Sequence, residues 1–319
     1  MDVRDERVCT VVGSASNPNG VGWKNAVETI VALIAKGLGE MGATMADVRR
    51  VCCAVAGVDN PKYRERLSHQ LKDAMSGPKV VVVSDALAAL TAGTKGAPGV
   101  ALIAGTGSIA LGDAGDGEEV RAGGYGYLIG DEGSGFDIGR KGLMAAIAAA
   151  ENRGEPTKLW EKAEEKFSVS SPIQLVPIIY GSDKPVTAVA SFAPSVLELA
   201  NYDAVANGIL VEAVSHHLRL IKAVASLMTH DEGSDANPPL RVVLAGGLYT
   251  SNDVLFDRLK RANQNYEFVR SRFSAAAGAA LRSLIAEVHP GEEQRALSQV
   301  WLEIMDKASS FSLDHEEYH

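Results

Sequence analysis

The chain has no cluster of lysine and arginine. Its 319 residues carry 40 acidic against 31 basic side chains, a formal net charge of −9. Phosphate backbones and anionic membranes attract basic surfaces, so neither nucleic acid nor membrane is expected as a partner. Cysteine is sparse: Cys9, Cys52 and Cys53, an odd number, two of them adjacent in an apolar run. No CxxC pair or Cys/His cluster has metal spacing, which points to a reduced cytoplasmic protein with buried thiols and no metal site of its own. No apolar run reaches the ~20 residues that span a bilayer. No basic segment followed by an apolar one opens the sequence, so no signal peptide is expected. There is no GxxxxGK[ST] loop, no tandem repeat and no low-complexity segment.

What remains is an ordinary globular composition, 46% hydrophobic and 22% charged, in a length that suits two packed domains. Arg7 to Val12 reads as a short strand leading into the small-residue loop Gly13 to Gly20. A helix follows, with Val27, Ile30, Val31, Ile34 and Leu38 on one stripe. Val51 to Val55 reads as a buried strand, and Asn60-Pro61 as the cap of a helix running to Met75. The run Lys79 to Val83 is too apolar for a half-exposed strand and suggests a central parallel one. It ends at Ser84-Asp85, where a small-residue helix begins, and Gly93 to Pro98 reads as a linker. A strand at Val100 to Ala104 runs into Gly105-Thr106-Gly107-Ser108, and a hairpin is expected around Gly115 to Gly117. The glycine-rich stretch Gly123 to Gly135 precedes a mostly helical region reaching Met228. Asp231 to Pro239 reads as a loop, Arg241 to Leu244 as a buried strand ending at Gly246-Gly247, and Asn252 to Ala262 and Ala275 to Ile285 as helices. One more helix and a polar tail are expected after Pro290. Apolar strands that end in small or acidic residues and lead into helices form an α/β pattern that occurs twice, with domains at 1–95 and 96–319. Ligands of such sheets sit beyond the carboxyl ends of the strands. Asp85, Gly105 to Ser108 and Gly246-Gly247 all stand at such ends, so one shared crevice is expected.

Each of these candidates has a plain alternative. Glycines at 105 and 107 let backbone approach a phosphate, and the N–H groups with the Thr106 and Ser108 hydroxyls can donate to its oxygens; the same residues make a tight hairpin turn. Gly246 and Gly247 can admit a flat ring, or merely turn strand into helix. Asp85 can accept a hydroxyl proton as a general base, or cap the following helix. Asp131 and Glu132 can bind sugar hydroxyls from a loop of glycines, or form a solvated turn. Asn17 and Asn19 can recognise polar groups, or shape a turn. His216 and His217 stand in a long helix with no partner in sight and read as a helix-face pair without catalytic role.

Taken in order, SNPN, AVAGVDNP, SDALAAL, LIAGTGSIA, GGYGYLIGDEGSG and LAGGLYTSN resemble the N-acetylglucosamine kinases within the BadF/BadG/BcrA/BcrD ATPase family, from about Gly13 to Leu281. The resemblance implies an actin/hexokinase/Hsp70-type fold of two RNase H-like domains around a cleft, with ATP and Mg²⁺ as cofactors. It implies an amino sugar as substrate, N-acetylglucosamine phosphorylated at its 6-hydroxyl, and a homodimer. Asp85 matches the catalytic base. Asn17, Gly124, Tyr125, Gly126 and Asp131 match sugar-contacting positions, with Tyr125 where some members carry Trp. Gly105, Thr106, Gly107 and Ser108 match the second phosphate loop, and Gly246 and Gly247 the adenosine motif. The family opens with a strand and a DGGGTK-like loop; Met1 to Glu6 aligns with the end of the strand after that loop, so a truncated N-terminal domain is expected. Two alternatives stand beside the kinase. One is a non-catalytic sugar-binding relative. The other is a dehydratase-activating ATPase, whose iron–sulfur cluster requires cysteines in a glycine context that Cys9, Cys52 and Cys53 lack.

Overall fold

The computed structural model describes residues 9–58, 60–114, 119–228, 239–270 and 275–286. The chain starts with helices α1 (Pro18–Val21) and α2 (Trp23–Glu40), strand β1 (Arg50–Val55), helix α3 (Pro61–Ala74), strand β2 (Lys79–Ser84) and helix α4 (Asp85–Thr94). Strands β3 (Gly99–Ala104), β4 (Ser108–Asp113) and β5 (Glu119–Gly123) follow. Then come helices α5 (Gly135–Ala150), α6 (Leu159–Phe167), α7 (Leu175–Tyr180), α8 (Pro185–Ala190), α9 (Ala193–Leu199) and α10 (Ala204–Leu227). Strand β6 (Leu240–Ala245), helices α11 (Gly247–Thr250) and α12 (Asp253–Ala262), strand β7 (Tyr266–Arg270) and helix α13 (Ala275–Ile285) complete it. Short polar residues start many of the helices. Asn60 accepts from the Lys62 amide with Pro61 in the first turn, Asp203 accepts from Val205 and Ala206, and Asn252 accepts from Val254. Among the described residues no helix is long and apolar enough to cross a membrane.

Two compact units emerge: Met1–Ala97 with Ser271–His319, and Pro98–Arg270. The sequence reading places everything after residue 95 in the second domain. Instead, α13 packs on α4 and β1 of unit 1. Small residues permit this close approach: a Cβ on Gly278 would overlap the Ala88 carbonyl.

In unit 1, β1 and β2 pair in parallel, Val51 beside Val80 and Val55 beside Ser84. Cys53, Val55, Val80 and Val82 turn one face of this sheet to Ile30 of α2 and Leu67 and Leu71 of α3. The other face meets α4 and α13. Helices on both faces explain the unbroken valine run, as expected of a parallel strand. A central position is not seen: β2 has one partner strand among the described residues. The strand expected at Arg7 to Val12 is not formed over its described part, residues 9–12, where no ladder partner is present; strand propensity without a partner does not make a strand.

In unit 2 the sheet order is β5-β4-β3-β6-β7. The meander β3-β4-β5 is antiparallel, and β3, β6 and β7 run parallel. This is the arrangement expected of an RNase H-like domain. The turn expected at Gly115 to Gly117 lies outside the described residues, but its flanks pair antiparallel, Asp113 beside Glu119. The loop at 231–238 and the helix and tail expected after Pro290 also lie outside them. The core joins Val100, Leu102, Val242 and Leu244 of the sheet to Ile138, Leu210 and Ile221 of the helices and to Phe192 just before α9.

Candidate functional site

The parallel pairing of β3 with β6, Ile103 beside Ala245, brings their carboxyl ends together. A Cβ on Gly105 would stand 4.0 Å from the Gly247 nitrogen. The two glycine motifs, far apart in sequence, are thus neighbours in space. Gly246 has φ +87°, and a Cβ on it would overlap the Ala104 carbonyl; Gly247 faces open space. Only glycine fits at 246.

The Gly105 to Ser108 turn is closed by the Gly105 amide donating to the Gly107 carbonyl at 2.9 Å. The start of α5 is tied to it: Gly135 N–H donates to the Gly105 carbonyl at 2.7 Å, and Phe136 N–H to the Thr106 carbonyl at 3.2 Å. The amides of Thr106 and Gly107 make no hydrogen bond among the described residues, and Thr106 is exposed. Two free donors at a strand end suit an anion. Ser108 is different. It is buried, and its hydroxyl donates to the Glu132 carbonyl at 2.9 Å. Its hydroxyl proton is engaged by the protein, whereas the amides of Thr106 and Gly107 are not.

That bond carries the turn's influence to the glycine-rich loop. Asp131 has φ +61°, a left-handed conformation that aspartate tolerates. Its carboxylate lies against Gly107, where a Cβ would come within 2.8 Å of Oδ2. Gly124 and Gly126 have φ of +71° and +84°, and they hold out Tyr125, 65% exposed, with Leu128 and Ile129 beyond it. The Arg121 guanidinium stands 5.7 Å from the Tyr125 ring centroid and donates to the carbonyls of Gly123 and Gly124, each at 3.1 Å. Gly133 N–H donates to Asp137 Oδ2 at 3.0 Å, and Lys141 Nζ reaches the same oxygen at 2.9 Å. Burial pushes the Asp137 carboxyl up, but the Gly133 amide and Lys141 outweigh it and hold the group below the usual carboxylate range.

In unit 1 the carboxyl ends of β1 and β2 carry the other candidates. Ser84, fully buried, caps α4 by accepting from the Leu87 amide at 3.1 Å. The cap is therefore Ser84 and not Asp85. Asp85 is exposed, and among the described residues its Oδ1 accepts one bond, from the adjacent Ala86 amide at 2.9 Å. Asn17 Oδ1 accepts from the Asn19 amide at 2.9 Å, and Asn19 Nδ2 donates to the Gly57 carbonyl at 3.1 Å. Gly57, φ +81°, sits just past β1, and a Cβ there would strike both asparagine side chains at 2.6 Å. Asn17 and Asp85 thus stand at the same end of one small sheet.

The family's sequence profile matches residues 1–283. The chain belongs to the BadF/BadG/BcrA/BcrD ATPase family. Within that family it is similar to an N-acetylmuramic acid/N-acetylglucosamine kinase of Clostridium acetobutylicum, 31% identical over 257 residues, which are 80% of this chain and 82% of that protein. It is also similar to an N-acetyl-D-glucosamine kinase of Dictyostelium discoideum, 30% identical over 245 residues, 74% of this chain and 76% of that one. Two solved structures share the fold. A proposed N-acetylglucosamine kinase of Chromobacterium violaceum superposes with TM-score 0.62 at 24% identity, covering 84% of this chain and 88% of that one. One from Porphyromonas gingivalis gives 0.61 at 19% identity, covering 86% and 93%. The actin/hexokinase/Hsp70-type architecture expected of the family is the one observed.

Membership leaves the family's iron–sulfur branch to weigh. Cys52 and Cys53 are neighbours on β1, so their side chains point to opposite faces. Burial pushes the Cys52 thiol up to about 11 and the Cys53 thiol up to about 12. Such thiols are poor metal ligands, which bind as thiolates. Sequence reasoning missed one element altogether. His217 is not a helix-face residue but fully buried, with Nδ1 2.6 Å from the Tyr249 hydroxyl. An apolar helix pattern would have revealed its burial, since Val214, His217, Ile221 and Val224 share one face.

Proposed function

We propose that this chain is an ATP-dependent kinase that phosphorylates an amino sugar, with N-acetylglucosamine and its 6-hydroxyl as the leading substrate. The observation that carries the reading is the pair of unbonded amides at Thr106 and Gly107, joined through Ser108 and Gly135 to the loop bearing Asp131 and adjoining the open Gly247. The relatives named above support the choice of an amino sugar.

In this reading Thr106 and Gly107 hold phosphate oxygens of the nucleotide, and the adenosine lies against Gly246 and Gly247. Tyr125 stacks on a face of the sugar, while Asn17, Asp131 and the carved backbone at Gly124 and Gly126 meet its polar groups. Asp85 accepts the proton of the attacking hydroxyl as the γ-phosphoryl transfers in line. Its exposure and the separate cap at Ser84 leave the carboxylate free for that task. Among the described residues no cluster of three or more His, Cys, Asp or Glu could hold a metal unaided. That suits Mg²⁺, which keeps several waters and is carried largely by substrate phosphates. When bound, it neutralises charge on the transferring phosphoryl. The reading also places the protein in the cytoplasm, where ATP is supplied and Cys9, Cys52 and Cys53 stay as free thiols, and it takes the protein as a homodimer.

The test is ADP release on mixing the chain with ATP, Mg²⁺ and N-acetylglucosamine, N-acetylmuramic acid or glucosamine, with the product sugar phosphate identified by mass. Turnover on one of these, lost in Asp85→Asn, is the expected result. ADP release independent of any sugar would reject the reading.

A further inference from the structure

Two buried side chains outside the proposed reaction join the loops of unit 2. His217 on α10 and Tyr249 on α11 are both fully enclosed. The Tyr249 hydroxyl lies 2.6 Å from His217 Nδ1, and the ring centroids are 5.6 Å apart. Tyr249 follows the glycine turn directly, and its own amide donates to the Gly246 carbonyl at 2.9 Å. The far nitrogen of His217, Nε2, faces Gly133: a Cβ there would stand 2.8 Å from it, and the Gly133 backbone favours the protonated ring, although the nitrogen is buried and no well-formed hydrogen bond reaches it among the described residues. Gly133 is two residues past Asp131 and is held from its other side by Asp137.

A leucine and a phenylalanine would fill this volume without the cost of burying polar atoms. A polar pair adds direction, because a hydrogen bond weakens steeply when its partners shift or rotate. Burial pushes the imidazole down to about 4, so the pair is neutral near pH 7. The contact runs unbroken from Gly246 through Tyr249 and His217 to Gly133.

We propose that His217 and Tyr249 are positioning residues that couple the Gly246-Gly247 turn to the Asp131–Gly133 loop, so that occupation of one by nucleotide sets the geometry of the other toward the sugar. The coupling itself is structural; the names of the two ligands rest on the function proposed above.

Two variants test it. Tyr249→Phe keeps the ring and removes one oxygen. His217→Asn keeps a group at the place of Nδ1 and withdraws from Gly133. Hydrogen exchange on the ligand-free chain should show segments 131–134 and 246–250 both about tenfold faster in Tyr249→Phe, the scale of one buried hydrogen bond, with β3 and β6 unchanged. His217→Asn should loosen 131–134 alone. In turnover, Tyr249→Phe should raise KM for ATP and for the sugar together, with a smaller change in kcat. Unchanged exchange at 131–134, a rise in KM for ATP alone, or uniform loosening of the whole unit would overturn the coupling. If the wild-type chain phosphorylates no amino sugar, the proposed function falls, and the exchange pattern still decides whether the pair links the two loops.

Discussion

In unit 2 the candidate residues sit on loops bonded to one another. Gly105 and Thr106 accept from the start of α5, Ser108 holds Glu132, and Asp137 holds Gly133. In unit 1 the candidate base has, among the described residues, one bond to its own neighbour and is mounted on α4, whose place depends on packing against α13. Five strands carry the first set; two, among the described residues, carry the second. The difference teaches that one half offers a template shaped by backbone hydrogen bonds. The other offers the carboxylate proposed as the base, on a helix whose position is set by packing.

The largest effect expected is on Asp85. Asp85→Asn should lower kcat by about 10²–10⁴-fold, as for loss of a general base. Its melting temperature should barely move, because Ser84 does the capping. A steady-state assay beside a thermal melt decides it. A stability loss matching the activity loss would erase the contrast between the units.

Next is the packing that mounts Asp85. Gly278→Val would drive a branched side chain into the Ala88 carbonyl and should destabilise by about 3 kcal/mol, the upper part of the overpacking range. Gly246→Ala, at φ +87° and against Ala104, should cost unit 2 about 2 kcal/mol of strain. Urea denaturation of both compares the helix contact of one unit with the strand-end turn of the other. Parent-like stability of the Gly278 variant would show that the α4–α13 spacing is soft.

Acid should weaken unit 2 through His217. The unfolded chain takes up a proton near 6.5, while the buried ring stays neutral down to about 4. Stability present above pH 6.5 is therefore lost as pH falls through that window, by at most about 1.4 kcal/mol per pH unit. Asp137, held low, adds to the loss only at more acid pH. Thermal melts from pH 7 to 4.5 should fall less steeply in His217→Asn than in the parent. Parallel curves would show that the ring is not held neutral.

The smallest effect is at the exposed loop. Tyr125→Ala should raise KM for the sugar about five- to tenfold, the worth of one aromatic contact, and leave stability unchanged. Tyr125→Trp should restore it. Equal loss of kcat and kcat/KM would place Tyr125 in the transition state and not in sugar binding.

Most elements were legible because their signals are local. The valine runs, the Asn60-Pro61 cap and the glycine turns at 105–107 and 246–247 each announce themselves within a few residues, and all were found at those places. The site was legible in part. Asp85 could be read as cap or base, and only coordinates show Ser84 taking the cap. Ser108 reads as a phosphate donor from its neighbours, and only coordinates show its hydroxyl bonded to the Glu132 carbonyl, 24 positions later in the chain. Both missed facts concern which partner a hydroxyl chooses among several, and sequence spacing does not rank partners.

By itself the sequence determined the periodicities, the caps, the strand ends and the family signature, because each depends on covalent neighbours and on the period of helix or strand. Tertiary structure alone decided that α13 returns to unit 1, that Gly105 meets Gly247, and that His217 is buried against Tyr249 and Gly133. Each of these is a contact between segments far apart in the chain. Such contacts follow from how close small residues and buried polar groups let two backbones come.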